Sequence, residues 1–413
     1  MAEPTIRVET REELIYLLAE ATAVEHSILC CYLYAAWSLK RTEEDGLTLE
    51  QVESVQQWRT VILSVAVEEM GHLALAANLA STIGAGPHFS RPEFPIPPGV
   101  LPSGLILELS GFSPPLLDHF IYLERPEGVE LEDATGFDHP VAYDRTVKKG
   151  RLMPGAQDYE TIGHLYRGIL HGFEGLVHMH GADDVFCGDP EAQIGPAEAS
   201  LPGLIPVTDL ASAKAAINTI IEQGEGAPSH SEDSHYQRFV RIKDEYEAFL
   251  ADDPTFEPAF PVARNPVSRQ SWSTEPLVLV NEPEAELVLD LANSLYSLMV
   301  RALVQSWGRD VGYRDDKAPL MTLAIELMFV LEGIACHLAS LPASPDHPGV
   351  NAGMTFSLPG DIQRHPEGRS EQVLMKERLE EMATQAAHLF DLDHPLAKVP
   401  KKLTDIGKKL NFA

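Results

Sequence analysis

Between Ile62 and Ile83 two side chains that can bind a cation interrupt an otherwise aliphatic stripe. Stepping by fours and threes gives Ile62, Val65, Glu69, His72, Ala76, Leu79 and Ile83, the seam of a helix packed in a bundle. A carboxylate and an imidazole buried among aliphatics are costly unless something compensates them, and one bound cation compensates both. The Glu-x-x-His spacing is weak by itself, since a chain with 16 His and many Glu should show it about once or twice by chance. Its phase on the apolar seam is the informative part. Glu68 falls one residue off that seam and reads as an outer or solvent-facing group.

A second acid of the same kind stands in the preceding helical stretch. From Glu12 to about Lys40 the stripe is Ile15, Leu18, Thr22, Glu25, Leu29, Tyr32 and Ala36, begun by Thr10 and Glu13 in capping-box positions. The short connection 41–50 implies an antiparallel pair, so Glu25 and Glu69, each about midway along its helix, should meet. His26 is off the stripe and reads as a hydrogen-bonded neighbour. Further on, SEDSHYQRFVRIKDEYEAFL places Glu232, His235, Phe239, Ile242, Tyr246 and Phe249 in fours and threes, a second Glu-x-x-His on an apolar seam. Glu232 would also suit the positive end of a helix dipole. Glu225 lies between glycines after the helix 209–223, either as a carboxylate delivered from a helix end or in a plain C-cap turn. Inward-facing acids with Glu-x-x-His pairs are what di-metal carboxylate bundles require.

The elements that must position these groups are helical, with one long exception. Ile83-Gly84-Ala85-Gly86-Pro87 stops the second helix, and from Arg91 to about Asp158 prolines and glycines predict a loop-like insertion. Leu105–Leu109 and Phe120–Leu123 are short apolar runs within it, open to being strands or a wrapped excursion, and the insertion serves as a lid or accessory layer. Tyr159 to about Val177 is helical, with His164, His171 and His178 on one face. Those three are too far apart along the helix to share one ion and fit a solvated face. The proline- and serine-rich stretch 252–276, with Trp272, marks a boundary. Helices at about 284–307, 319–340 and 370–389 follow without seam acids; Glu332 and His337 have the wrong spacing to share an ion. The expected organisation is therefore a metal-binding bundle over 1–252, with the insertion at about 85–158, and a structural or covering helical region over 277–413.

Composition narrows the function classes. With 62 acidic and 31 basic residues the formal charge is −31, which argues against nucleic acid or an anionic membrane as partner. Cys30, Cys31, Cys187 and Cys336 form neither a metal pair nor a disulfide framework and read as packed thiols of a reducing compartment. The opening MAEPTIRVETREE has no basic patch followed by an apolar run, so a secretory signal is not expected. The apolar stretch 14–37 carries Glu20, Glu25 and His26 near its middle, which favours a buried helix over a membrane span. A cytoplasmic protein with a small-molecule substrate is the expectation, and a homo-oligomer is left open. No P-loop, dinucleotide fingerprint or serine elbow is present in the sequence.

The blocks EHSILCCYLYAAWSL, VEEMGHLALAANLASTIGAGP, IIEQGEG, SHYQRF, DLANSLYSLMVRAL and NAGMTF, in that order over most of residues 12–356, resemble the bacterial ferritin-like proteins related to iminophenyl-pyruvate dimer synthase. The resemblance implies a mainly α, ferritin-like four-helix bundle with a loop and short-strand insertion and additional C-terminal helices. Better-known members of that group serve violacein- and rebeccamycin-type pathways, where amino-acid-derived imines are oxidatively coupled and haem is associated with some enzymes; they are much longer than this chain. The family blocks fall on Glu25, Glu69, His72, Glu225 and His235. Where family members look acidic, this chain has His164, so a ligand there is absent or of another type.

The reading these lines support is a non-haem metal oxidoreductase of secondary metabolism acting on a small organic, amino-acid-derived substrate. Glu25, Glu69 and His72 would hold one ion, and His235 with Glu232 or Glu225 would complete it or hold a second. Mixed carboxylate and imidazole ligation suits iron first and manganese second, with haem ranked behind. Two rival readings stand beside it. One is an imine-coupling enzyme of the dimer synthase type, and the other is a non-catalytic helical partner whose buried acids only make hydrogen bonds.

Overall fold

The computed structural model describes residues 6–410 except 90–92, 98, 103, 138–144, 146–151, 225–232, 270–276, 361 and 363. Eleven α-helices carry these described residues: α1 Arg11–Ser38, α2 Leu49–Thr82, α3 Pro114–Leu123, α4 Ile162–His180, α5 Ala182–Val185, α6 Leu210–Gly224, α7 His235–Asp252, α8 Pro283–Ser306, α9 Lys317–Leu338, α10 Arg369–Leu389 and α11 Val399–Lys409. Among the described residues extended chain pairs only through isolated bridges such as Leu39 with Ala259 and Val262 with Asn351.

Helix α1 starts where its sequence says it should. The Thr10 hydroxyl accepts the Glu13 N–H at 3.2 Å, and the Glu13 carboxylate accepts the Thr10 N–H at 2.9 Å. Thr48 and Gln51 repeat the device at the start of α2. The two long helices lie against each other across the short connection, and α1 also touches α4 and α9. A helix packed on several sides is apolar around most of its circumference, so α1 buries residues on every face from Leu14 to Ser38. On the other side of α1, Tyr32 packs edge-on against Phe120 of α3 and beside Phe239 of α7, with ring centroids 4.6 and 5.1 Å apart. Helices α1, α2, α3 and α7 thus surround one apolar interior, and α4 with α6 closes it from a further side.

Two expectations fail in the insertion. Phe120–Leu123 is the end of helix α3 and not a strand: the Ser113 hydroxyl accepts the Leu116 N–H at 3.4 Å, and Pro114 at the first turn supplies a preset φ with no N–H to satisfy. The Leu105–Leu109 run forms no strand either. Leu109 instead exchanges two 2.8 Å bonds with Asn265, its N–H donating to the side chain and its carbonyl accepting the Asn265 N–H. The described part of α7 begins at His235, where the Ser234 hydroxyl accepts the Gln237 N–H at 3.3 Å, and Glu232, expected on the same seam, lies outside the described residues.

The C-terminal helices form their own layer. Helices α8 and α9 pack along each other, α10 lies on α8, and α11 folds back on α10. Arg309, fully buried, ties this layer: its guanidinium donates to Glu371 at 2.9 Å and to Asp316 at 3.1 Å. Buried charges of this kind hold only when paired and hydrogen-bonded, as here. The short helix α11 was not foreseen from the sequence. Helices α1, α2, α8 and the segment Val311–Leu338 are long and apolar enough to cross a membrane by length and composition, and most of each apolar window is buried against the rest of the chain. Three of the four cysteines are packed as expected, whereas Cys187 is exposed.

Candidate metal centre

Glu25 from α1 and Glu69 and His72 from α2 come together in the interior, each almost wholly buried. His72 Nδ1 lies 3.3 Å from Glu69 Oε2 and 3.8 Å from Glu25 Oε2. His235, at the first position of α7, meets the same Glu69 from the other side, with Nδ1 2.9 Å from Glu69 Oε1. Glu69 therefore offers one oxygen to each imidazole. The two rings are stacked at 5.5 Å.

A fourth element completes the cluster. Glu124, the C-cap residue of α3, sets Oε2 3.7 Å from His235 Nδ1. The result is two buried triads, Glu25/Glu69/His72 and Glu69/Glu124/His235, sharing Glu69; within each triad the ligand atoms all lie within 4.8 Å of one another. Gly224, the last residue of α6, passes so close that a Cβ there would stand 3.2 Å from Glu124 Oε2. Sequence reasoning missed Glu124 because it lies in a stretch read as loop. The available signal was the Ser-Pro-Pro helix start at 113–115, which would have turned FIYLE into the end of a helix carrying an acid.

An outer layer fixes the orientation of four of the five inner groups, His72, His235, Glu25 and Glu124. His72 Nε2 donates to Gln223 Oε1 at 2.8 Å, and His235 Nε2 donates to Glu68 Oε2 at 3.1 Å. Both Nδ1 atoms are thereby turned toward carboxylates. Tyr166 of α4 donates to Glu25 Oε1 at 2.6 Å, and Tyr32 donates to Glu124 Oε1. Each tyrosine holds one carboxylate oxygen and leaves the other facing the centre. Glu68 is itself held by Arg238 at 2.7 Å, which makes it the outer group the sequence suggested. His26 hydrogen-bonds Tyr296 of α8 at 2.7 Å and stays outside both triads.

Electrostatics follow from this packing. Burial, and then the neighbouring Glu69 charge, push the Glu25 carboxyl well above the ordinary range. Burial also pushes against ionised Glu69, but His72 and His235 together hold its carboxyl well below that range. For His235 burial disfavours the charged ring, yet the contacts with Glu124, Glu68 and Glu69 outweigh it and raise its pKa well above the usual imidazole value. Burial and an adjacent carboxylate, Glu124 for Tyr32 and Glu25 for Tyr166, push both phenols well up, so they stay protonated donors.

The residues fit a bound cation. His235 Nδ1 is a fully buried nitrogen whose 2.9 Å approach to Glu69 is out of line for a hydrogen bond. His72 Nδ1, with the ring held by Gln223 through Nε2, faces Glu69 Oε2 at 3.3 Å and Glu25 Oε2 at 3.8 Å. Buried acids and imidazoles converging this closely are what a bound cation compensates, displacing the protons they hold. The donors are oxygen and nitrogen only, a set for iron, manganese or zinc and not for a thiolate-preferring ion. A small pocket opens beside them, lined by Leu123, Ile162, Tyr166, Ile220, Ile221 and Gly224 as well as the acids. Its cavity volume is about 20 Å³, room for an ion or a water and not for an organic molecule.

Of the sequence-derived candidates, Glu25, Glu69, His72 and His235 are thus gathered at one point. Glu225 and Glu232 lie outside the described residues. His164 does not lie on the expected solvated face: it is buried on α4, where its Nδ1 faces the Glu160 N–H at 3.5 Å, and it belongs to neither triad. His171 and His178 are exposed, as expected of a solvated face.

A family model described as ferritin-like matches residues 18–244. Dichlorochromopyrrolate synthase of Lentzea aerocolonigenes is 28% identical over 85% of this chain and 36% of its own length. The 2-imino-3-(indol-3-yl)propanoate dimerase of Chromobacterium violaceum is 25% identical over 93% of this chain and 37% of its own length. The chain thus spans little more than a third of these curated relatives. A solved ferritin-like protein from Caulobacter vibrioides superposes with a TM-score of 0.47 at 17% identity, covering 87% of this chain and 99% of that one.

Proposed function

The chain belongs to the ferritin-like family, and on that premise we propose that it is a non-haem metal oxidoreductase with a two-ion centre, iron in the first instance, acting on a small organic substrate of secondary metabolism. The observation that carries the reading is the pair of buried carboxylate–imidazole triads sharing Glu69. Glu25, Glu69 and His72 would hold one ion, and Glu69, Glu124 and His235 the other, with Glu225 and Glu232 as further candidate ligands. When bound, the ions supply redox chemistry with oxygen or peroxide.

The protein's part is geometry and exclusion of water. Gln223 and Glu68 fix the two imidazoles with Nδ1 inward, and Tyr166 and Tyr32 each hold one oxygen of a ligand carboxylate so that the other keeps its position. The phenols also keep a proton at the edge of the centre, available to a reacting oxygen. The aliphatic mouth formed by Leu123, Ile162, Ile220 and Ile221 favours an apolar substrate, whose entry requires α4 and α6 to separate at that mouth.

A test is metal analysis of protein loaded with ferrous iron without oxygen. About two equivalents per chain are expected, falling below one in Glu69→Ala because that residue serves both triads. Chain that retains no stoichiometric metal after loading overturns the proposal.

A second reading is supported by the names of the two relatives, which match along most of this chain. It makes the chain an imine-coupling enzyme. Incubation with an imine generated in place by an amino-acid oxidase would yield a carbon–carbon-coupled dimer under this reading, its mass that of two imines less the hydrogens passed to the peroxide that the oxidase releases, and only hydrolysed monomer otherwise. A Soret band in the purified protein would move the cofactor assignment to haem.

A further inference from the structure

We propose that Glu284, His337 and His394 form a second, separate site for a divalent cation of the zinc type, which clamps the C-terminal hairpin onto the α8–α9 pair. The three residues come from different elements: Glu284 from the first turn of α8, His337 from the last turn of α9, and His394 from the connection between α10 and α11. Their ligand atoms all lie within 4.8 Å of one another. None of these residues belongs to the bundle centre, and the inference does not rest on the function proposed for it.

Two observations point to a cation. His337 Nε2 is a buried nitrogen with no hydrogen-bond partner, and the nearest acid, Glu284 Oε1, is 3.8 Å away, too far for a hydrogen bond and close enough for both to reach one ion. The His394 ring stands edge-on to His337 at 4.7 Å and is held there by stacking on Phe390, also at 4.7 Å.

Two imidazoles and one carboxylate make a three-ligand set that suits zinc and leaves a position for water. The competing contact is the Leu396 N–H, which donates to His394 Nδ1 at 3.0 Å. Coordination through either ring nitrogen gives up that one bond, a several-fold loss of affinity. In return the ion joins three elements far apart in the chain, so its binding stabilises the docked hairpin.

The test is a titration of the full chain with Zn2+ alone, followed by dialysis and metal analysis, alongside His394→Gln and Glu284→Gln. Both variants change partly or fully exposed side chains, and a thermal melt in chelator checks that each folds. The unsubstituted chain is expected to retain one more equivalent of zinc than either variant, and Glu69→Ala to retain that equivalent. Zinc should also slow hydrogen exchange in residues 390–398 of the unsubstituted chain and leave His394→Gln unchanged. Equal zinc content in the unsubstituted chain, His394→Gln and Glu284→Gln overturns the proposal, as does zinc that is lost with Glu69→Ala alone.

Discussion

Glu124 carries much of the argument at the scale of single residues, because without it His235 would share only Glu69 among the inner acids of the described residues. Glu124→Ala should spare the Glu25/Glu69/His72 triad and weaken the other. Losing an outer partner of a metal ligand costs about 10–100-fold in affinity, so losing the ligand should cost at least that. Elemental analysis at limiting iron would then read close to one equivalent, and an unchanged content would remove Glu124 from the ligand set. A pH dependence follows from Glu25 and His235. Both have folded-state pKa values above their ordinary ones of 4.5 and 6.5, so both hold protons that an ion must displace. Metal loading should therefore release protons and strengthen as pH rises through the raised range of each group. Calorimetric titrations in buffers of different ionisation heat would measure that release, and a loading curve flat with pH would contradict it.

Among elements, α4 brings Tyr166 to Glu25, and its packing depends on glycines. A Cβ at Gly172 would stand 2.9 Å from Val8 atoms of the N-terminal segment, whereas a Cβ at Gly175 would meet nothing within 4 Å. Alanine in a helix interior gains about 1 kcal/mol over glycine. Gly175→Ala should therefore raise stability by up to about 1 kcal/mol, while in Gly172→Ala overpacking of about 1–3 kcal/mol offsets or exceeds that gain. Denaturant midpoints of the two variants should move in opposite directions or differ by more than about 1 kcal/mol. The same scale shows which elements were legible. Helices α1 and α2 announce themselves through capping boxes and long seams, and the acids on those seams follow directly. Helix α3 does not, because ten residues among prolines carry too few turns for a period to emerge.

For the molecule as a whole, a centre that gathers α1, α2, α3 and α7 links metal to folding. An ion that binds only the folded chain stabilises it by about 2.7 kcal/mol at a hundred times its dissociation constant. Iron or manganese loading should raise the melting temperature by several degrees, and chelation should reverse the rise; Glu69→Ala should show neither. The sequence by itself determined that the chain is helical, that Glu25, Glu69 and His72 sit at matching depth on two antiparallel helices, and that His235 rides a further apolar seam. Periodicity suffices for this because a buried stripe must repeat with the helix. Only the tertiary structure decided that Glu124 joins them, that Glu69 is shared by two imidazoles, that His164 stays apart, and that two tyrosines hold the acids in place. Those facts depend on how a short, irregular segment folds back onto distant helices, and contacts between residues so far apart in the chain leave no period to read.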